Sequence, residues 1–236
     1  MQVFQFDAVA STMTKAQDLA KQCYDPMFCV LAKQQTEGKG THGRVWESPI
    51  GNYYVTYCLQ QSNVCHLPQI SIIVGISVAQ ALQHYDIDIS LKWTNDLMVH
   101  RKKVGGILCV IQNNMILVGL GINFKVNPLI SDSNNFFQTD YICKNLEISY
   151  LEFSKLLGCQ LLLNLKAFSS NGFSEFMAYW QNYGAFYNQQ ISIELPDGSI
   201  KIGIDKGINT DGCLLLETQN GIEWFHSARI IGAASK

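Results

Sequence analysis

The sequence predicts an α/β fold in the α+β sense: a mixed sheet-and-helix domain followed by a small all-β domain. Three observations carry this. Helical periodicities alternate with strand-like apolar runs through residues 1–186. Four short strand patterns follow one another between 89 and 123, separated by tight-turn signals. Past Asn188 the texture changes to short strands punctuated by Pro-Asp-Gly, Asp-Gly and Asn-Gly. The expected division is 1–186 and 187–236.

The elements follow in order. Ser11 or Thr12 supplies a hydroxyl N-cap ahead of "MTKAQDLAKQ", whose Ala16, Leu19 and Ala20 share a face, so a helix starts there. "MFCVLAK" (27–33), bounded by Pro26, reads as a buried strand, and "NYYVTYCLQ" (52–60) as a strand of β-branched and aromatic residues. Pro68 opens a long helix over "QISIIVGISVAQALQHY". The pieces "ISLKW", "DLMVH", "VGGILCVIQ" and "NMILVGLGIN" form an antiparallel meander turned at "RKK" (101–103) and "NN" (113–114). The Asn/Ser-rich stretch from Phe124 to Asn135 is a loop. "SYLEFSKLLGCQLLLNLKAF" and "FSEFMAYWQNY" are helices. The last 50 or so residues have the turn spacing of a small barrel.

Composition narrows the function. A formal charge of −2 gives no support for nucleic-acid binding through bulk electrostatics. The eight cysteines (23, 29, 58, 65, 109, 143, 159, 213) form no CxxC pair and no zinc spacing, and read as thiols of a reducing compartment. The start carries no secretory pattern, and the longest apolar run, "MILVGLGI", is too short to span a bilayer, so a cytoplasmic protein is expected. The five histidines have no ligand-like spacing and are assigned no metal.

Two stretches carry chemistry. "QTEGKGTHGRVWESPIGN" (35–52) sets Gly38, Gly40, Gly43 and Gly51 among Lys39, Arg44 and Trp46. Glycines let backbone amides approach an anion and cations reinforce them, yet a structural loop needing positive φ explains the glycines as well. A GxGxxG spacing is met at 38, 40 and 43 with no helix pattern behind it. "LKWTNDLMVHRKKVGGILCVIQ" (91–112) places Lys92, Asn95 and Asp96 within five residues, with Lys103 ahead of a Gly-Gly pair. An isolated lysine in a strand is often a snorkelling edge residue, but together the stretches bring several cations toward one anionic ligand.

"QTEGKGTHGRVW", "KWTNDL", "KKVGGIL" and "VGLGIN" (118–123) resemble, in order, the motifs of biotin protein ligases, and "STMTKA" (11–16) resembles their first biotin-contact segment. The end, "GIDKGINTDGCLLLE" (203–217), resembles their SH3-like C-terminal domain, so the likeness covers nearly the whole chain. It implies a biotin/lipoate protein ligase-like catalytic domain (1–186) with a small SH3-like β-barrel (187–236). It also implies a two-step reaction, in which biotin and MgATP give biotinyl-5′-AMP and pyrophosphate, and a lysine of a biotin carboxyl carrier protein then takes the biotinyl group. The first step brings a carboxylate to a triphosphate, so cations must offset their repulsion, and the intermediate must be sheltered from water.

Residue by residue, the resemblance implies Ser11, Thr12 and Gln35 on the ureido head, with backbone groups of Gly38 and Lys39. Helix capping is the plainer reading of Ser11 and Thr12. Gly106, Gly119 and Gly121 would line the biotin chain, the last two letting it lie flat. Lys103 would contact both the carboxylate and the α-phosphate, with Lys39 and Arg44 as further catalytic cations. Thr41, Trp46, Lys92, Asn95, Asp96 and Asn123 complete the ATP site with Lys39 and Arg44, and Phe136 or Phe137 would stack on the base. Magnesium would arrive with the nucleotide. The resemblance also allows a homodimer through the sheet edge near 104–122.

Departures from the family pattern are Thr94 for the proline of "KWPND", Lys39 and Thr41 for the arginines of "GRGR", and Val110 at an often acidic position. They bear on phosphate binding and adenylate retention. Some relatives also repress transcription through an added N-terminal helix-turn-helix. Only ten residues precede Ser11, so DNA binding is not expected. A lipoate or octanoate ligase or transferase of the same superfamily, and a non-catalytic binding module, are the competing readings.

Overall fold

The computed structural model of the protein describes residues 1–22, 26–60, 66–128, 137–143, 145 and 147–233, without the His42 side chain. Cys23, Cys65 and Phe136 lie outside the described residues. The first sheet has seven strands: β1 (Gln2–Val9), β2 (Met27–Gln35), β3 (Tyr53–Gln60), β4 (Ser90–Lys92), β5 (Asp96–Val99), β6 (Lys102–Gln112) and β7 (Met115–Ile122). Their order is β1-β2-β3-β7-β6-β5-β4, with β1 parallel to β2 and the other pairs antiparallel. The expected meander is β4 to β7. β1 was not anticipated, although Phe4, Phe6 and Ala8 alternate as a strand requires.

Side chains alternate across this sheet, and each face has its own cover. Cys29 and Leu31 of β2, Tyr53, Val55 and Tyr57 of β3, and Val118, Leu120 and Ile122 of β7 enter the main core. That core is closed by α2 (Leu67–Gln83), α3 (Tyr150–Asn171) and α4 (Ser174–Tyr183). α2 is apolar nearly all round and buried along most of its length, as a central helix must be. α3 begins at Ser149, whose hydroxyl accepts from the Glu152 N–H, and ends at Gly172 with φ 75°. The opposite parity, Phe28, Val30, Cys58 and Leu117, meets Met13 and Ala16 of the short helix α1 (Thr12–Ala20). With nine residues, α1 covers only part of that face. The part left uncovered becomes the site.

The second sheet holds β8 (Gln190–Glu194), β9 (Ile200–Ile208), β10 (Leu214–Thr218), β11 (Gly221–Phe225) and β12 (Arg229–Ala233), in the order β11-β10-β9-β8-β12 and antiparallel throughout. The small C-terminal domain is therefore present, but the expected barrel is not closed: β11 and β12 are the two edges, with no ladder between them among the described residues. Residues 226–228 carry the chain from one edge to the other without forming a hairpin. The sheet docks through its 209–213 turn. Trp93 Nε1 donates to Gly212 O at 2.9 Å and Gln69 Nε2 donates to Thr210 O at 2.7 Å. Gly212 (φ 78°) lies so close to α2 that a Cβ there would sit 3.1 Å from Gln69 N. Among the described residues no helix is long and apolar enough to cross a membrane.

One buried carboxyl gives this sheet a pH dependence. Asp205 is 2% exposed, and burial raises it to about 6, against the opposing hydrogen bond from the Gly207 N–H (2.7 Å). The native state thus holds its proton to higher pH than the unfolded chain. Stability falls as pH rises from about 4 to about 6, by up to about 3 kcal/mol, and stays lower above. Asp205→Asn keeps the acceptor for Gly207. It is expected to be more stable than the parent at pH 8, with the advantage vanishing near pH 4, in urea melts at both pH values. An equal effect at both would refute the assignment.

Candidate active site

The uncovered face carries Tyr54 and Thr56 on β3, Gly119 and Gly121 on β7, and Gly106 and Leu108 on β6. Thr56 pairs with Gly119, Gly121 with Gly106, and Gly119 with Leu108. Three glycines at alternating positions leave a patch of bare backbone beside the start of α1. Over it lies a cleft of about 510 Å³. Ser11, Thr12, Gln35, Lys39, Thr41, Arg44, Trp46, Asn95, Lys103, Gly106, Gly119, Gly121 and Asn123 line it, so most of the expected residues meet in one place. Gly38 does not line it. Instead its missing Cβ admits the Trp46 carbonyl, which a side chain would meet at 2.2 Å.

Beside the start of α1 the cleft is backed by a hydroxyl and amide network. Gln35 Oε1 accepts from Thr12 N–H (2.8 Å) and Thr12 Oγ1 (3.0 Å), Gln35 Nε2 donates to Ser48 Oγ (3.0 Å), and Thr56 Oγ1 donates to Thr12 Oγ1 (2.9 Å). Ser11 occupies the N-cap position without a side-chain cap bond, so its hydroxyl is not used for capping. Ser48 and Thr56 were missed from sequence. A threonine in the apolar run "NYYVTYCLQ", two residues from Tyr54 and Cys58, was the available signal.

The glycine-rich stretch folds back on itself. Lys39 bridges Val45, Gly40 N–H donates to Arg44 O (2.7 Å), and Trp46 N–H donates to Gly38 O (2.9 Å), with a 3₁₀ turn at Thr41–Gly43. Those two amides are therefore engaged within the loop. Thr41 ties down the guanidinium of Arg44: Nη2 donates to its Oγ1 at 2.9 Å and Nε to its carbonyl at 3.2 Å. Trp46 then lies on the glycine floor, where a Cβ at Gly121 would meet the indole Nε1 at 2.4 Å and one at Gly106 would meet Cζ3 at 3.3 Å. Gly121, expected to leave room for a ligand chain, is occupied by this ring. Two buried polar atoms of cleft residues, Trp46 Nε1 and Asn123 Oδ1, have no partner among the described residues. Such atoms are costly unless something pairs them.

Lys103 reaches the cleft face because of a bulge. Leu97 pairs with Gly105 but Met98 with Lys103, so Val104 is the extra residue on β6. Val104 enters the core, while Lys103 turns to the side of Gly106. Its ammonium stands 2.5 Å from Asp96 Oδ1, and Lys92 stands 2.5 Å from Asp96 Oδ2. Burial alone would raise the Asp96 carboxyl, but the ammonium charges of Lys103 and Lys92 outweigh it and hold it at about 2. Lys103 is thus no exposed member of the "RKK" turn. Its side chain is 21% exposed.

A second cleft of about 280 Å³ adjoins the first and shares Thr41, Arg44, Asn95 and Lys103 with it. Lys92 and Asp96 of the first sheet line it together with Phe137, which follows β7 in the chain, and the terminal domain adds His226 and Ser227 from the β11–β12 connection and Arg229 of β12. The Phe137 ring lies 4.9 Å from Lys92 Nζ. Sequence reading missed the terminal residues, which only the docking of the second sheet brings here. Asp96 is the single acid lining this cleft among the described residues, and both its oxygens are bonded to lysines. Among the described residues no group of three or more His, Cys, Asp or Glu side chains stands ready for a metal ion.

Comparison with known proteins places the sequence and the fold. Residues 5–127 match the profile of the Biotin/lipoate A/B protein ligase family, and residues 186–231 that of the Biotin protein ligase C terminal domain. The bifunctional ligase/repressor BirA of Escherichia coli (strain K12) is 28% identical over 201 residues, 81% of this chain and 62% of that protein. BirA of Bacillus subtilis is 25% identical over 240 residues, 95% of this chain and 72% of that protein. The chain thus spans 62% of the length of the Escherichia coli relative. The structure of biotin protein ligase from Aquifex aeolicus in complex with biotin and ATP superposes with a TM-score of 0.84 at 24% identity, covering 97% of this chain and 98% of that one, which shows the fold.

The contact between Gly121 and Trp46 is testable. Gly121→Ala is expected to expel the indole, red-shift tryptophan emission and cost about 1–3 kcal/mol of stability through overpacking. The spectral shift should vanish in a Trp46→Phe background. An unshifted spectrum in a folded Gly121→Ala protein would mean that the ring does not rest there.

Proposed function

Because the chain belongs to the biotin/lipoate A/B protein ligase family, we propose that it is an ATP-dependent ligase that activates biotin and transfers it to a lysine of a biotin carboxyl carrier protein. A carboxylate oxygen of biotin attacks the α-phosphorus of MgATP. The bond to the β-phosphate oxygen breaks, giving biotinyl-5′-AMP and pyrophosphate. The carrier lysine amine then attacks the acyl carbon, AMP leaves with the bonding electrons, and the amine loses its proton.

The observation that carries this reading is the position of Lys103 on the wall common to the two clefts. One cation there serves a carboxylate in the first and a phosphate in the second, which is where charge must be offset for the two to meet. The network around Thr12 and Gln35 supports biotin over lipoate. Thr12, Gln35, Ser48 and Thr56 form a donor-and-acceptor network suited to a ureido ring, and a dithiolane offers such groups nothing to pair with. In this reading Ser11, Thr12 and Gln35 hold the head group, and Lys39 and Arg44 attend the phosphates. Lys92, Asn95 and Asn123 border the nucleotide, and Phe137 walls its cleft. Residues 1–186 carry the chemistry, and 187–236 close the nucleotide end through His226 and Arg229. Magnesium enters as part of the substrate MgATP.

The test is incubation with ATP, a purified carrier domain, and labelled biotin or lipoate. Biotin should appear on one carrier lysine. Lipoate labelling without biotin labelling would replace the reading by its superfamily alternative. Lys103→Ala should lower adenylate formation about 100- to 1000-fold with an unchanged circular dichroism spectrum, by analogy with loss of one preorganised donor. Near-normal pyrophosphate release by that variant would end the assignment.

A further inference from the structure

We propose that Asp96 is a positioning residue for the adenylation step, acting through Lys103 and not by touching the nucleotide; the proposal rests on the ligase reading above. Its carboxylate is shared between Lys92 on β4 and Lys103 on β6, each ammonium 2.5 Å from a different oxygen. The three side chains are only 10%, 13% and 21% exposed for Lys92, Asp96 and Lys103. Lys92 and Asp96 are direct partners across the β4–β5 ladder, and Asp96 pairs with Gly106 across β5–β6, so the carboxylate links three strands where the two clefts join.

Two arguments separate this role from direct nucleotide binding. Both oxygens are already bonded, and a carboxylate held ionised would repel a phosphate placed against it. The ammonium groups, by contrast, need a partner. Lysine carries its charge on a flexible four-carbon stem, so it defines a position only when something holds it. Arg44 also lines this cleft, and an unshared Lys103 would be repelled by Lys92 and by this neighbour. With Asp96 in place, two ammoniums share one carboxylate and one positive charge is left for an anionic ligand. The Trp46 ring, 5.5 Å from Lys103 Nζ, and the Phe137 ring beside Lys92 flank the cluster.

The experiment measures pyrophosphate release in single turnover and biotin affinity by calorimetry, on the full chain. Asp96→Asn should slow adenylate formation about 100-fold, the cost of misplacing a reacting group by about 1 Å. Biotin affinity should fall far less than the rate, because Thr12, Gln35, Ser48 and Thr56 are bonded to one another and Lys103 meets only the carboxylate end. Asp96→Glu, which restores the charge one methylene out of place, should recover part of the rate. A folded Asp96→Asn protein working at the wild-type rate, or one losing as much biotin affinity as rate, overturns the proposal. If Asp96→Asn does not fold, Asp96→Glu decides: a slowed rate with wild-type biotin affinity supports the proposal, and a wild-type rate overturns it. Wild-type protein that releases no pyrophosphate from biotin and ATP removes the ligase reading, and the proposal with it. An active wild type beside a fully active folded variant removes the proposal alone.

Discussion

A one-residue bulge in β6 is the constraint on which the site depends. Regular alternation back from Ile107, a core residue, would send Lys103 into the core with it. The extra residue, Val104, takes the core position, and Lys103 emerges on the face of Gly106. That face is also where alternation puts Gly119, Gly121 and Thr56, and where α1 ends too soon to cover the sheet. Bare backbone, a cation and a hydroxyl network thus share one surface. All three follow from strand parity and a single insertion.

Charge and shape work against each other across this surface. The loop from Gly38 to Trp46 brings Lys39 and Arg44 over the cleft, but the same loop rests its indole on Gly121. Under the proposed ligase reading, a ligand chain laid over that glycine would need the space the indole holds, and binding would displace the ring. Trp46 Nε1 and Asn123 Oδ1, without a partner among the described residues, are two polar atoms of the cleft not satisfied from within. Thr41, read from sequence as the loss of an arginine, turns out to hold the remaining Arg44 by side chain and backbone.

Much of this was legible in the sequence because it is local. The β4–β7 meander follows from alternation and turn residues, and the glycine positions and Lys103 stand out by spacing and family motif. What was not legible depends on distant pairing. β1 has the right alternation, but its parallel partner β2 is known only once the sheet is built. The Gly105-Gly106 pair hinted at irregularity, yet not at which residue would bulge. Thr56 and Ser48 matter only through Thr12 and Gln35, and His226 and Arg229 reach the second cleft only through the docked 209–213 turn. The barrel signal in the last strands was right about turns and strands and silent about closure, which sequence spacing does not encode.

The central claim is that one lysine, delivered by the bulge, serves both clefts. The structure of the protein with a non-hydrolysable biotinyl-adenylate analogue tests it most directly. The account predicts Lys103 Nζ within hydrogen-bond reach, about 3 Å, of both an acyl-side and a phosphate-side oxygen, with Trp46 lifted from Gly121. An analogue bound with Lys103 paired to Asp96 alone, or with the indole still on Gly121, would contradict it.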